Sequence, residues 1–191
     1  MIVLGDIGRS PRMQNHAIEI VNQTKHNVYF VGYHENRAHR SIEDNPRIRI
    51  IPISTFLINI LRKLPRFLYL IYALFRIIIQ IFQISWILIF KMRNLDYLIV
   101  QDPPCVPVIS TVVIICFLKR TKVIVDFHNY GFTILNMSVK NRCIIWLAKK
   151  YEMVFGRRAH YHLCVSNQMK YDLQRNYGIK FLFSFPFLVL I

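Results

Sequence analysis

The segment TKVIVDFHNYG, residues 121–131, decides the fold of this chain. Its first half, Val123–Asp126, is a short apolar run typical of a strand buried on both faces of a parallel sheet. His128, Asn129 and Tyr130 follow at the strand end, where apolar residues would be easier to bury. Ligands of parallel α/β sheets bind at the carboxyl ends of strands. We therefore expect a ligand or proton-transfer site here.

The rest of the chain repeats this alternation of short apolar runs and longer helical segments. Such alternation indicates βαβ units around a parallel sheet. The predicted fold class is α/β, a Rossmann-like parallel sheet with helices on both faces and one long amphipathic helix. Strands are predicted at Ile2–Leu4, Val28–Tyr33, Ile48–Ile51, Tyr97–Val100, Val123–Asp126 and His162–Val165. Helices are predicted at Arg12–Gln23, Phe56–Met92, Val106–Leu118, Val139–Phe155 and Asn167–Tyr177.

The loop after the first strand, GDIGRSPRM at residues 5–13, combines glycine with arginine. Its glycines permit a tight turn, and Ser10 before a proline is a favourable helix start. A helix N-terminus beside Arg9 and Arg12 would attract phosphate or pyrophosphate. His16 lies one helical turn after Arg12 and can face the same way. The alternative is a solvated turn with two surface arginines.

The residues after Val125 allow two interpretations. An aspartate beside a histidine can hold the imidazole as a general base, which would make Asp126 and His128 catalytic. Alternatively, Asp126 only caps the following turn. The segment Gln101–Pro104 is either a rigid wall of the same cleft or a plain turn. Glu152, on a predicted helix, is expected to be a solvated carboxylate.

The longest apolar run, Phe67–Phe90, is long enough to span a bilayer. Its polar positions recur at three- and four-residue steps, which places them along one side of a helix opposite Trp86. An interfacial amphipathic helix with basic ends is the favoured interpretation, and a core helix or a spanning helix stays open. The predicted membrane-contacting residues are Arg62, Arg66, Arg76 and Trp86.

Composition and net charge limit the classes of molecule that this chain could bind. The chain has 191 residues, 54% of them hydrophobic, and a formal charge of +15. This charge attracts polyanions, but the basic residues flank apolar stretches, which favours membrane over nucleic acid. The four cysteines lack zinc-site spacing, so we predict no metal and expect buried, reduced thiols.

Four blocks together resemble a known family. They are GDIGRSPRMQNHA, QDPPCVPV, VIVDFHNYGFTIL and YEMVFGRRAHYHLCVSNQMKYDL, and their order and spacing agree over about residues 1–179. The chain resembles the chitobiosyldiphosphodolichol β-mannosyltransferases, which are two-domain GT-B glycosyltransferases. The resemblance implies that this chain is the N-terminal, acceptor-side Rossmann-like domain of such an enzyme.

The resemblance also implies a function. It implies inverting transfer of mannose from GDP-mannose to chitobiosyl-diphosphodolichol during N-glycan synthesis, without another cofactor and with any divalent metal requirement open. It implies the cytosolic face of the endoplasmic reticulum membrane, with other mannosyltransferases of the pathway as partners. The residues that it places on the cleft are Gly5, Asp6, Gly8, Arg9, Ser10, Pro11, Arg12, His16, Asp126, His128, Asn129 and Tyr130.

Three departures from the family pattern matter. The chain begins inside the first strand, Asn15 replaces an aromatic, and residues 180–191 form an apolar tail unlike the family. We therefore expect a truncated first strand and no donor-binding second domain. The alternative function is a catalytically inactive half-enzyme that binds membrane or lipid pyrophosphate.

Overall fold

A computed structural model describes residues 1–54, 69–103, 106–139 and 141–181. They form two compact units, Met1–Arg93 and Asn94–Ile191. One domain over residues 1–179 stays a prediction. Arg62, Arg66, Cys105 and most of the apolar tail lie outside the described residues.

The first unit begins with a strand and alternates strands with helices. Its elements are β1 (Ile2–Asp6), a 3-10 turn (Ile7–Arg9), α1 (Pro11–Gln23), β2 (Val28–Tyr33), α2 (Arg40–Glu43), β3 (Ile48–Pro52) and α3 (Tyr69–Trp86), which continues as a π-helical turn (Ile87–Lys91). Strand β2 pairs in parallel with both β1 and β3. Ile2 and Phe30 from the strands are fully buried with Met13 of α1, because these short apolar runs and the apolar stripe of α1 need one another to exclude water.

The second unit repeats this arrangement. Its elements are β4 (Tyr97–Asp102), α4 (Val108–Lys119), β5 (Lys122–Phe127), α5 (Gly131–Ser138), α6 (Arg142–Gly156), β6 (Tyr161–Cys164) and α7 (Asn167–Tyr177). Strand β5 pairs in parallel with β4 and β6. In register, Gln101 lies opposite Asp126 and Phe127 lies opposite Cys164, so the polar strand ends share one edge.

The predicted α/β, Rossmann-like fold with a parallel sheet is confirmed. All six predicted strands are present, and helix α7 ends as predicted because Gly178 adopts a left-handed φ of 62°. Helix α5 was not predicted, and α6 begins at Arg142 rather than Val139. The reason is local: the Asn141 side chain accepts hydrogen bonds from Cys143 N at 2.9 Å and Ile144 N at 3.3 Å.

Candidate functional site

Asp6 organises the loop that the sequence predicts as an anion site. Its carboxylate accepts hydrogen bonds from Gly8 N at 3.4 Å and from Glu35 N and Asn36 N at 3.2 Å each. The Asn36 side chain donates to it as well. Burial opposes ionisation of Asp6, but these hydrogen bonds, led by that of the Asn36 side chain, bring its pKa below the ordinary value. Asp6 thus stays ionised and ties the loop after β1 to the loop after β2.

The glycines and the serine of this loop differ in the groups that surround them. A Cβ on Gly8 would lie 2.7 Å from both Asn36 O and Arg37 O, so only glycine fits there. A Cβ on Gly5 would meet only the Val3 side chain, at 3.5 Å. Ser10 stands at the predicted N-cap position, yet its hydroxyl donates to Asp6 O at 3.2 Å instead of capping α1. The sequence predicts a close approach of this loop to a ligand. At Gly8 the close approach is made instead by the backbone of Asn36 and Arg37.

Three side chains that the sequence predicts to contact an anion lie on this loop or in the first turns of α1. Arg9 is mostly exposed, with Nε 3.7 Å from Asp6 Oδ2. Arg12 and His16 are half-buried one turn apart on α1, as their spacing predicts. Arg9 and Arg12 therefore place positive charge near the start of α1, which suits a phosphate or diphosphate, and His16 lies one turn further along the helix.

Gln14, on α1, holds this loop in place, and sequence reasoning missed it. Its buried Nε2 donates to Ile7 O at 2.8 Å and Gly8 O at 3.2 Å, while Oε1 accepts from His39 N at 2.8 Å. One side chain therefore holds both loops of the first unit. The available signal was a glutamine at a position of α1 whose spacing from Met13 and Ala17 places it on the buried face.

The second unit brings together the two predicted catalytic side chains. His128 Nε2 lies 2.9 Å from Asp126 Oδ2, and the side chains are 18% and 0% exposed respectively. A carboxylate accepts the proton on Nε2, which leaves the Nδ1 lone pair to accept another proton. Among the described residues no hydrogen-bond partner of Nδ1 is found. An imidazole oriented by a carboxylate in this way has the chemistry that a general base needs, and Asp126 itself is closed to solvent.

Tyr130 extends this site toward α7. Its hydroxyl donates to Asp172 Oδ2, and its ring lies 6.1 Å from that of Tyr177. Burial, followed by the hydrogen bond to Asp172 and that carboxylate's charge, raises the pKa of Tyr130 well above its ordinary range. Tyr130 therefore stays protonated and acts as a fixed wall of the site, whereas Asn129 is exposed beside it.

A buried pair of carboxyl groups lies beneath this loop. Glu152 on α6 accepts from Gly131 N at 3.0 Å and Phe132 N at 2.9 Å, so the expectation that it is solvated is wrong. Asp102, at the end of β4, is also buried, and its backbone oxygen accepts from His128 N at 2.8 Å. Neither oxygen of the Asp102 side chain has a donor from any other described group.

Two buried carboxyl groups repel each other when both are ionised, so we expect Asp102 to stay protonated. Burial, followed by the negative charge of Glu152, raises the pKa of Asp102 well above its ordinary value. Two backbone N–H groups already donate to Glu152. The protonated Asp102 donates to Glu152, and Glu152 holds the start of α5, immediately after His128 and Tyr130. Sequence reasoning included Asp102 only as part of the segment Gln101–Pro104 and did not predict its burial beside Glu152.

Helix α3 turns its glutamines toward the protein. Gln80 is buried and donates to Tyr33 Oη at 2.9 Å, and Gln83 donates to Ser54 O at 3.0 Å. The opposite side is exposed and apolar, with Phe82 67% and Trp86 48% accessible. It consists of Leu74, Phe75, Ile78, Ile81, Phe82, Trp86, Ile89 and Phe90. A helix of an ordinary soluble core would have the reverse orientation.

This helix meets the length and composition of a membrane span. The stretch Leu74–Lys91 has a mean hydropathy of 1.7, and only 22% of it is buried. The low burial disagrees with the core-helix alternative. Arg76 and Trp86, two of the predicted membrane-contacting residues, are both exposed. Arg62 and Arg66 lie outside the described residues.

Potential metal ligands and cysteine thiols are the other reactive side chains of the described residues. Over residues 1–54, 69–103, 106–139 and 141–181, no group of three His, Cys, Asp or Glu side chains could hold a metal ion. Cys116 is buried, but Cys143 is exposed and Cys164 is half-buried, so the expectation of buried thiols is wrong for Cys143.

Comparison with known proteins gives a consistent set of relatives. A chitobiosyldiphosphodolichol beta-mannosyltransferase from Dictyostelium discoideum is 36% identical over 94% of this chain and 38% of its own length. The enzyme of the same name from Yarrowia lipolytica is 38% identical over the same shares. A relative from Arabidopsis thaliana named UDP-glycosyltransferase TURAN is 33% identical, again over 94% and 38%.

The comparisons with family models and with solved structures add no relative. No family model matches the chain. No solved structure matches it either. The chain spans somewhat more than a third of the length of the curated relatives. The resemblance is therefore confirmed: over 94% of its length this chain is similar to part of the chitobiosyldiphosphodolichol beta-mannosyltransferases.

Proposed function

We propose that this chain supplies the acceptor-side part of a β-mannosyltransferase. The reaction moves mannose from GDP-mannose to chitobiosyl-diphosphodolichol with inversion. The observation that carries the proposal is the contact between His128 Nε2 and Asp126 Oδ2 at the carboxyl end of β5. The names of the relatives supply the substrate class, and the donor is inferred from the family resemblance.

The geometry assigns different roles to the two residues. In an inverting transfer the acceptor hydroxyl oxygen attacks the anomeric carbon, the bond from that carbon to the diphosphate breaks, and one base takes the hydroxyl proton. Asp126 is closed to solvent, so His128 is the base, acting through Nδ1. The Asp126 carboxylate orients the imidazole and stabilises the imidazolium that forms. Tyr130 and Asn129 then bound the sugar beside it.

The first unit, considered by itself, supports binding of a phosphate or diphosphate group. A lipid diphosphate needs cations and helix N–H groups, and Arg9, Arg12 and His16 lie just before or within the first turns of α1. Asp6 and Gly8 hold this loop in place through contacts within the protein, so we do not expect them to bind the ligand directly. Charged hydrogen bonds to phosphate contribute about 1.5–3 kcal/mol each, so Arg9→Ala or Arg12→Ala should weaken acceptor binding measurably.

The exposed apolar side of α3 supports a membrane location. We assign this side to the cytosolic face of the endoplasmic reticulum, where it would bring a dolichol-linked acceptor to the enzyme. The two potential glycosylation sites, Asn22 and Asn136, are both exposed and would be accessible in a lumen. Both should remain unmodified in cells. A glycosidase-sensitive mobility shift that disappears in Asn22→Gln or Asn136→Gln would contradict the cytosolic assignment.

The test of the catalytic proposal uses a chimaera. Residues 1–181 replace the matching part of the Dictyostelium discoideum relative, and transfer of mannose to a chitobiosyl-diphospho-lipid is measured. His128→Ala and Asp126→Asn should each reduce kcat by about 100-fold or more while acceptor affinity changes little. His26→Ala, at an exposed histidine of the first unit, is the matched control.

Two outcomes would overturn this proposal. Full activity of the His128→Ala chimaera would remove the base assignment. Acceptor binding by the unsubstituted chimaera without any turnover, with the relative active in parallel, would favour the half-enzyme that only binds lipid pyrophosphate.

A further inference from the structure

A second cationic feature lies in the second unit, in a groove of about 570 Å³ between α6 and the end of α7. Three cations line it, Lys149, Lys150 and Arg157, together with Trp146 and Tyr177. The lining contains no Asp or Glu side chain. Its local charge is therefore about +3. Neither Asp126 nor His128 lines the groove, although Tyr177 of its lining also lies beside Tyr130.

Aromatic rings position two of the three cations without neutralising them. Lys149 Nζ lies 5.3 Å from the ring centroid of Phe132 and 5.2 Å from that of Tyr177, and Lys150 Nζ lies 5.8 Å from that of Trp146. A ring face positions an ammonium group without neutralising it. Within the part of the chain that the structure describes, none of the three cations pairs with a carboxylate.

Arg157 lies beside the residue that ends α7. A Cβ built on Gly178 would be 3.6 Å from Arg157 Nη2, an ordinary van der Waals distance, so the guanidinium lies close to this part of the chain. A planar guanidinium matches the oxygens of a phosphate group with two parallel hydrogen bonds, and the lysines add point charges. The groove thus has the chemistry of a phosphate-binding site.

The surroundings of the groove indicate where such a phosphate would come from. On α6, Trp146 is 57% exposed and Leu147 is 58% exposed. Helix α5 has no buried residue, and Ile134 and Met137 are exposed on it. Tryptophan, aliphatic side chains and cations together on one surface are typical of proteins that rest on a bilayer.

We propose that this groove binds the phosphate of an anionic phospholipid head group while Trp146 and Leu147 enter the bilayer interface. The inference does not depend on mannosyl transfer and concerns the second unit alone. An exposed apolar surface binds membranes whatever their charge, whereas the three cations of the groove favour anionic lipid. A cation near an anionic surface strengthens binding about fivefold, so three cations together should contribute roughly 100-fold.

The test compares vesicle binding by the 191-residue chain with and without these charges. Binding is measured by flotation with phosphatidylcholine vesicles and with vesicles that also contain phosphatidic acid. The ratio of the two affinities should fall at least tenfold in the triple variant Lys149→Gln, Lys150→Gln, Arg157→Gln. The matched control removes three exposed cations elsewhere, by Lys25→Gln, Arg49→Gln and Lys122→Gln, and should change the ratio much less.

A second measurement keeps the test decisive if the triple variant folds poorly. The chain has two tryptophans, so Trp86→Phe leaves Trp146 as a specific probe. Its fluorescence should be quenched by brominated lipid only when phosphatidic acid is present, and Lys150→Gln should weaken that quenching. Inorganic pyrophosphate and single-stranded RNA serve as competitors for the groove.

Three results would contradict the proposal. One is an equal loss of selectivity in the triple variant and in its matched control. Another is a Trp146 signal that is indifferent to lipid charge. The third is displacement from anionic vesicles by single-stranded RNA at concentrations where inorganic pyrophosphate has no effect, which would point to nucleic acid as the ligand.

Discussion

Replacing Asp102 with asparagine tests whether the buried carboxyl pair shares a proton. Asp102 and Glu152 are both fully buried, and Glu152 already accepts two backbone N–H bonds. A protonated Asp102 donates to Glu152 only while it keeps its proton. The amide introduced by Asp102→Asn has nearly the same shape and donates an N–H at every pH.

The sign of the pH effect follows from the raised pKa of Asp102. Above the ordinary aspartate pKa, the folded protein holds one proton more than the unfolded chain. Its stability is therefore full below about pH 4 and is lost as the pH rises toward the raised pKa, by about 1.4 kcal/mol per pH unit. Between pH 4 and pH 7 the loss reaches at most about 4 kcal/mol.

Asp102→Asn should remove this loss and introduce a smaller constant cost. The second N–H of the new amide finds no acceptor in the native arrangement, which costs about 1–3 kcal/mol. The variant should thus be less stable than the natural chain by about 1–3 kcal/mol near pH 4. This difference should shrink or reverse as the pH rises to 7, because only the natural chain loses stability over this range.

Urea denaturation at a series of pH values, followed through Trp146, measures this difference. Burial lowers the pKa of His162, which weakens the fold as pH falls, but that effect is common to both proteins and cancels. Asp96→Asn, at an exposed aspartate of the same unit, should follow the natural chain at every pH. Parallel stability curves for Asp102→Asn and the natural chain would refute the shared proton.

Two further predictions concern the loops. Gly8→Ala should lower the free energy of unfolding by about 1–3 kcal/mol, because the new methyl would meet Asn36 O at 2.7 Å, whereas Gly5→Ala should be tolerated; urea midpoints of both variants check this. Tyr130 should stay protonated at about pH 10, where a model phenol ionises, so alkaline difference spectra of the natural chain and of Tyr130→Phe should coincide at that pH; a smaller titration in the variant there would contradict the raised pKa.

The sequence alone determined the secondary structure of most of the fold. Strands buried on both faces need continuous apolar residues. The short apolar runs at Val28–Tyr33 and Val123–Asp126 therefore predict such strands. Gly178 marked the end of α7 because a left-handed residue after a helix favours glycine. The same logic placed the polar residues after Val125 at the carboxyl end of a strand. These features depend on residues close together in the chain, so a local pattern records them.

Only the tertiary structure decided which side of α3 faces the protein. The spacing of Gln80 and Gln83 predicts a polar side, but a polar side can face water or can satisfy buried partners. Here it meets Tyr33 Oη and Ser54 O, and the apolar side is left exposed. Those partners lie 47 and 29 residues away in the chain, beyond the reach of any helical period.

The same distinction applies to the candidate site. The sequence placed Asp126 and His128 two residues apart, and the fold turned them into a contact of 2.9 Å. It also buried Glu152, which a helical pattern alone leaves in solvent, by setting it against Asp102 and the start of α5. A carboxylate is exposed or buried according to whether donors from distant segments replace its water, and the packing of those segments is what brings the donors to it.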